Sequence, residues 1–357
     1  MTNHAPGGDR PPMVIRTPAD LVSAVPYLLG FHPEDSLVVI GSGGPHGTCA
    51  LRIDLPPAGV AAEAIADRFA QMLRRNDFPH AMLVGYGSAD RVTPLIDAAR
   101  PALAECEVEL HDALRVTGGR FWSYLCSDPD CCPVEGTPFD VATSIVAAQA
   151  TFAGQVALAG RAELARTVAP LGGIARESMR EATGRAENRL FEVFRAESDA
   201  ARVRSRMAEE GLPFLRELLA RTGRGGRRPS DDEIAWLGVV LGYLRVRDEA
   251  WVRIDLTRPE AHIAFWRDVL CRVEEQYAAA PACLLAYAAF AAGNGGLANV
   301  ALERAFDADP DYSMARLLHG LISTGAPPSS VRLPMTPDDL ATAYGEYDDP
   351  ETDRRAS

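Results

Sequence analysis

Lysine is absent: every one of the 36 basic residues in this 357-residue chain is an arginine. Arginine keeps its proton across the physiological range, so it clamps anions but neither acts as a base nor forms an imine. Lysine-dependent phosphate loops, a pyridoxal Schiff base, the protein-kinase lysine and any lysine nucleophile are therefore excluded together. Long apolar runs are missing too. A membrane helix needs roughly 18 uncharged apolar residues, and the nearest approach, residues 278–292, is mostly alanine and contains Pro281. The opening MTNHAPGGDRPP has neither the charged start nor the apolar core of a secretory leader, which predicts a cytoplasmic location. Cysteine is scarce, and seven of them in a long chain with no leader read as thiols and not as a disulfide framework.

Positive charge is the minority sign, 36 basic against 49 acidic side chains for a net charge of −13. This balance argues against nucleic acid and anionic membranes as partners. The one basic surplus falls in residues 160–228, with 15 arginines against 10 acids. Most of these arginines interleave with glutamates between Arg176 and Arg206, the pattern of a salt-bridged, solvated helix face. Arg221, Arg224, Arg227 and Arg228, set among glycines, are the only plausible phosphate contacts, and the acidic whole weighs against them.

The hydrophobic pattern divides the chain. After a disordered start over 1–12, residues 13–157 read as an α/β layered domain with a mixed sheet and two hairpins. Thr17-Pro18-Ala19-Asp20 opens a helix running to Leu29, with Thr17 as cap and proline at the first helical position. Strands follow at 36–40 and 48–55 around the turn GSGGPHG, then a helix at 60–76, a buried strand at 81–86 and a helix through Leu103. The glycines of that turn are followed by a strand where a dinucleotide fingerprint needs a helix, so it is a hairpin loop. His32, Glu34 and Asp35 before the first of these strands read as loop solvation. A second hairpin joins 108–116 to 121–126 around Gly118-Gly119.

Residues 158–325 read as all-helical. Met179, Ala182, Ala186, Leu190, Val193 and Phe194 mark one face of a long helix that Gly211 and Pro213 should end. Ser230 and Glu233 form a capping box for the next helix, and further helices are expected at 259–277, 282–292, 297–308 and 312–323. Trp236, Trp251 and Trp266 are core anchors. Pro281 to Pro310 is similar to one tetratricopeptide unit, with Leu285, Ala298, Leu302 and Ala305 at its packing positions, so this half is partly tetratricopeptide-like. Residues 326–357, rich in Pro, Asp and Glu, read as an acidic tail without a core.

One constellation carries candidate chemistry. Three of the seven cysteines fall in Cys126-Ser127-Asp128-Pro129-Asp130-Cys131-Cys132. If Gly118-Gly119 is a two-residue turn, Thr117 faces Arg120, Arg115 faces Trp122, Ala113 faces Tyr124, and His111 stands opposite Cys126. His111, Cys126, Cys131 and Cys132 then offer the four N/S ligands of a tetrahedral zinc site. Adjacent Cys131 and Cys132 should point apart, which weighs against a shared ion. A reactive thiolate near His111 and Arg115 and a set of merely buried thiols are the other two readings.

Four blocks resemble a family of unknown function found in actinobacteria, domain of unknown function 4192: RTPADLVSAVPYLLGFHPEDSLVVIG at 16–41, ALRVTGGRFWSYLCSDPDCCPVEGTPFD at 113–140, RDEAWVRID at 247–255 and ALERAFDADPDYSMARLLHGL at 301–321. The resemblance implies no activity, substrate or catalytic residue. The expectation from the residues is a non-catalytic interaction or regulatory module whose helical half engages a protein partner. The alternative is a metal- or thiol-dependent enzyme, a hydrolase for instance, built on His111, Cys126, Cys131 and Cys132.

Overall fold

The computed structural model describes residues 14–45, 47–57, 60–223 and 226–347. The expected disordered start over 1–12, Arg224 and the last ten residues of the expected tail lie outside them. The chain forms two compact units. One contains the residues up to Leu164, with short returns at 294–296 and 321–330; the other contains the remainder.

The first unit is built on a six-stranded mixed sheet of order β2-β1-β3-β4-β5-β6. Its strands are β1 (Ser36–Gly44), β2 (Gly47–Asp54), β3 (His80–Tyr86), β4 (Glu109–Thr117), β5 (Arg120–Ser123) and β6 (Thr137–Pro138). All neighbours pair antiparallel except β3 and β4, which run parallel across the helix α3 (Ala89–Glu105). Leu37, Val39, Ala81, Leu83 and Ala113 line one face and share a core with Phe69 and Leu73 of α2 (Ala62–Arg75) and Leu95 and Ile96 of α3. The other face is buried as well, since Val38, Ile40, Val84 and Leu114 each have 0 % of their surface exposed. Here α1 (Pro18–Leu29) packs against β2 and β4 and against α4 (Ile145–Phe152). Central strands covered on both faces read as continuous apolar runs, which is why SLVVI and AMLVG show no alternation.

Local chemistry explains the ends of these elements. Thr17 accepts the Asp20 backbone N–H while the Asp20 carboxylate accepts the N–H of Thr17, closing a capping box on α1. The loop between β1 and β2 is tighter than its seven turn residues suggest, because β1 carries on to Gly44 through an irregularity in register. Gly41 is fixed by closeness: a Cβ there would stand 2.6 Å from Leu73 and 2.9 Å from Phe78.

The second unit is helical. It comprises α6 (Gly173–Ala196), α7 (Ala200–Gly223), α8 (Asp231–Val240), α9 (Leu244–Val252), α10 (Pro259–Arg272), α11 (Ala279–Ala291), and most of α12 (Gly295–Ala308) and α13 (Ser313–Ser323), after the short α5 (Arg161–Arg166). Ser230 and Glu233 cap α8 reciprocally. Trp236 and Trp266 are buried anchors, and the Arg189 guanidinium lies 3.9 Å from the Trp236 ring centre. Every residue of α11 from Ala279 to Phe290 is buried, the signature of a helix at the centre of a unit. Its closest partner is α10.

Two expectations for this half need correction. The long helix does not run to Gly211; it ends at Ala196, and Asp199 opens α7 by accepting the Arg202 backbone N–H at 2.9 Å. Gly211 and Pro213 then sit inside α7. Gly211 is a packing residue and not a breaker, since a Cβ there would meet Val246 at 2.9 Å and Val240 at 3.2 Å. The acidic tail also holds structure: α14 (Pro337–Tyr347) packs on α9, buries Leu340, and donates the Tyr344 hydroxyl to Asp248 at 2.6 Å. The three described arginines of the glycine-rich connection are engaged by acids, Arg221 and Arg227 by Glu233 and Arg228 by Asp268.

Candidate metal centre

The β4–β5 hairpin has the register expected from a two-residue glycine turn: Thr117 faces Arg120, Val116 faces Phe121 and Arg115 faces Trp122. Gly118 and Gly119 both take positive φ, 58° and 72°, the twist such a turn requires. The pairing continues as far as Tyr124, whose N–H reaches the Ala113 carbonyl at 2.8 Å. There the chain leaves the sheet. Ser123 Oγ accepts the N–H groups of Leu125 and Cys126, each at 3.2 Å, and turns the backbone into the loop that carries the cysteines.

That loop is braced at both ends. The Asp128 side chain accepts the Asp130 N–H at 3.0 Å, and the Asp128 carbonyl accepts the N–H groups of Cys131 and Cys132 at 3.2 and 2.7 Å. At the far end the Trp122 indole N–H reaches the Val134 carbonyl at 2.9 Å, and Arg120 reaches the Gly136 carbonyl at 2.6 Å. The Arg115 guanidinium lies 3.7 Å from the Trp122 ring centre. Gly136 adopts φ +81° and lies so close to the indole that a Cβ would come within 2.5 Å of it. Glycine is required there on both counts.

The consequence is convergence. The Sγ atoms of Cys126, Cys131 and Cys132 all lie within 4.8 Å of one another. The adjacent pair does not splay its sulfurs to different sites, because the turn closed on the Asp128 carbonyl folds both back toward Cys126. The three thiols differ in acidity. A hydrogen bond from the Asp128 backbone N–H, followed by one from the Cys132 thiol, lowers the Cys126 pKa below that of an ordinary thiol. Burial, with the neighbouring Cys126 and Cys131, pushes Cys132 up to about 12. Cys126 is thus the more acidic sulfur of the set and Cys132 the less acidic. Cys131 is the exposed member. The other four thiols are dispersed, and Cys283 is enclosed in α11 with its pKa raised to about 12 by burial.

His111, the fourth residue put forward by the sequence, belongs to a different group. β4 carries one extra residue against β3: His80 pairs with Glu109 and Ala81 with Leu110, but Met82 pairs with Asp112, so His111 is the bulged residue. The bulge breaks the alternation that would have put His111 on the face of Ala113 and Arg115. Instead it gathers with His80 and Glu109, whose donor atoms lie within 4.8 Å of one another. The sequence reading missed His80 and Glu109 because an irregularity in a parallel pair has no marker comparable to Gly-Gly in a hairpin.

Asp35 is paired with Arg91 at 3.0 Å, and the Glu34 carbonyl accepts from Arg52. Among the described residues, no helix is long and apolar enough to cross a membrane. No curated protein and no solved structure gives a significant match to the chain. A family match does cover most of its length: from residue 18 to residue 329 the chain belongs to the family described as Domain of unknown function (DUF4192).

Proposed function

We propose that this protein is a metal-binding protein whose first unit takes one zinc-class ion on the thiolates of Cys126, Cys131 and Cys132. The observation that supports the reading is the convergence of three sulfurs from one seven-residue stretch to within 4.8 Å, with the acidity of one, Cys126, raised by hydrogen bonding. Thiolate is the soft donor that selects zinc and its neighbours over magnesium or calcium. Hydrogen bonding from the Asp128 N–H to Cys126 is the kind of outer contact that orients and tunes a metal-bound sulfur. Three protein donors leave a fourth tetrahedral position for water or an outside donor. That count is typical of zinc sites that exchange ligands or activate water, whereas closed structural sites use four protein ligands.

Anaerobic titration with cobalt(II) tests this. The expected result is thiolate-to-cobalt charge-transfer absorption that saturates at one equivalent and is lost in Cys126→Ser and Cys132→Ser variants that keep the wild-type circular dichroism. Absence of that absorption in the wild-type chain refutes the reading.

A specific observation also favours a protein partner on the helical unit. Phe191 and Phe194, one turn apart on α6, are 59 % and 52 % exposed, and Ile174 on the same helix is 86 % exposed. Phe191 and Phe194 stand next to each other on the helix surface, and contiguous exposed apolar patches mark interaction sites. Within that half, residues 281–325 include the buried stretch Pro281 to Phe290 of α11, so their removal would destroy the core. Phe191→Ser with Phe194→Ser should abolish partner capture without unfolding the chain; capture unchanged in a folded double variant contradicts this reading.

A further inference from the structure

We infer that His80, Glu109 and His111 form a second metal site, separate from the cysteines, for a first-row divalent cation bound through two imidazoles and one carboxylate. Two adjacent strands, β3 and β4, bring it together at one end of the sheet. His80 is the first residue of β3, Glu109 is its partner at the start of β4, and His111 is carried toward them by the bulge. Alternation puts His80 and Glu109 on the sheet face opposite α2 and α3. The cysteine loop is strapped instead to Trp122, whose partner Arg115 stands on the α3 side of the sheet.

The arrangement is not that of histidines satisfied by ordinary hydrogen bonds. The imidazole rings stack with centres 4.1 Å apart and planes at 28°. A nitrogen from each ring is turned to the same carboxylate oxygen, His80 Nδ1 at 3.5 Å and His111 Nε2 at 3.4 Å from Glu109 Oε2. These separations exceed a normal N–H to O hydrogen bond. His80 Nδ1 is buried, and among the described residues it has no hydrogen-bond partner. Across the β1–β3 pairing from His80 stands Ser42, 1 % exposed, whose hydroxyl is likewise buried without a partner. Room for the ring is built in: Gly43 has φ +82°, and a Cβ there would fall 2.7 Å from the imidazole. Two unpartnered buried polar atoms beside three converging donors are accounted for by a cation that pulls the imidazoles and the carboxylate onto itself.

The donor chemistry sets the class of ligand. Two neutral imidazoles and one carboxylate suit zinc, nickel, copper or ferrous iron, and exclude the all-oxygen preference of magnesium and calcium. His80, Glu109 and His111 are 32 %, 71 % and 35 % exposed at their side chains, so the remaining coordination positions face solvent and admit water or a small anionic substrate.

Cobalt(II) is the probe, titrated anaerobically into the full chain while calorimetry and absorption are recorded together. Cobalt on the thiolates gives charge-transfer absorption, and cobalt on this site gives heat without it. The expected result is one equivalent of binding that is silent in charge transfer. It should be weakened at least about tenfold by His80→Asn and by His111→Asn, with the thiolate absorption unchanged. If either histidine variant fails to fold, Glu109→Gln at an exposed position must give the same loss. A wild-type chain with no silent equivalent, or folded variants that retain it, overturns the inference. Silent binding without any charge transfer upholds this site and refutes the thiolate reading.

Discussion

Glu249 offers a sharp test of the energetics of the helical unit. Its side chain on α9 has no exposed surface, yet it is a carboxylate held by three arginines: Arg216 of α7 at 2.7 Å, Arg245 at 2.9 Å and Arg253 at 2.7 Å. Burial alone would raise its pKa; the hydrogen bonds from Arg216, Arg253 and Arg245 overcome that and lower it from 4.5 to about 2. A displacement of that size is worth about 3 kcal/mol of folding free energy. The independent expectation for removing one partner of a buried ion pair, about 3–5 kcal/mol, agrees. Because the folded pKa is the depressed one, this contribution is complete above the unfolded value of 4.5 and is lost as pH falls toward 2. Glu249→Gln keeps the shape and removes the charge. The variant should lose about 3 kcal/mol at pH 7, seen as a drop of about 6–12 °C in the melting of this unit. The gap to wild type should shrink to about half by pH 3. Calorimetry and urea unfolding across pH 3 to 7 provide the measurement. A loss under about 1 kcal/mol at pH 7, or a loss that does not change with pH, would show that the three arginines do not stabilise a buried carboxylate here.

Two further outcomes follow from close contacts. Gly136→Ala adds a methyl group against the Trp122 indole at a positive φ, so it should quench or shift tryptophan emission and weaken cobalt binding to the thiolates, while leaving the melting of the helical unit unchanged. Leu340→Ala removes a buried anchor of α14 and should cost about 2–5 kcal/mol, with α14 becoming the first site of limited proteolysis; resistance equal to wild type would contradict the packing of that helix.

What the sequence made legible was whatever has a local chemical marker. Thr17 with Asp20 and Ser230 with Glu233 announce their helices because the capping groups lie within four residues of each other. Gly118-Gly119 announces both a turn and its register, so the pairing of Arg115 with Trp122 could be read in advance. Most of the failures come from partners distant in sequence. The bulge at His111 is defined only against β3, thirty residues away, and it reassigns the histidine from the cysteines to His80 and Glu109. Gly211 looks like a helix end until Val240 and Val246 are seen against it. The acidic composition of 337–347 conceals an amphipathic turn whose one leucine, Leu340, finds α9. Cys131 and Cys132, expected to point apart, converge because one carbonyl, that of Asp128, accepts both of their N–H groups.

Whether Cys126, Cys131 and Cys132 hold a metal ion is measured directly by metal content paired with thiol reactivity. Untagged protein purified without chelator would be analysed for metal and alkylated before and after chelation, with the modified cysteines mapped by peptide mass. The account predicts one zinc-class ion per chain that depends on these thiols, with all three protected until the chelator is added and Cys283 protected until the chain unfolds. No metal, with Cys131 and Cys126 alkylated at once and unaffected by chelator, would contradict it.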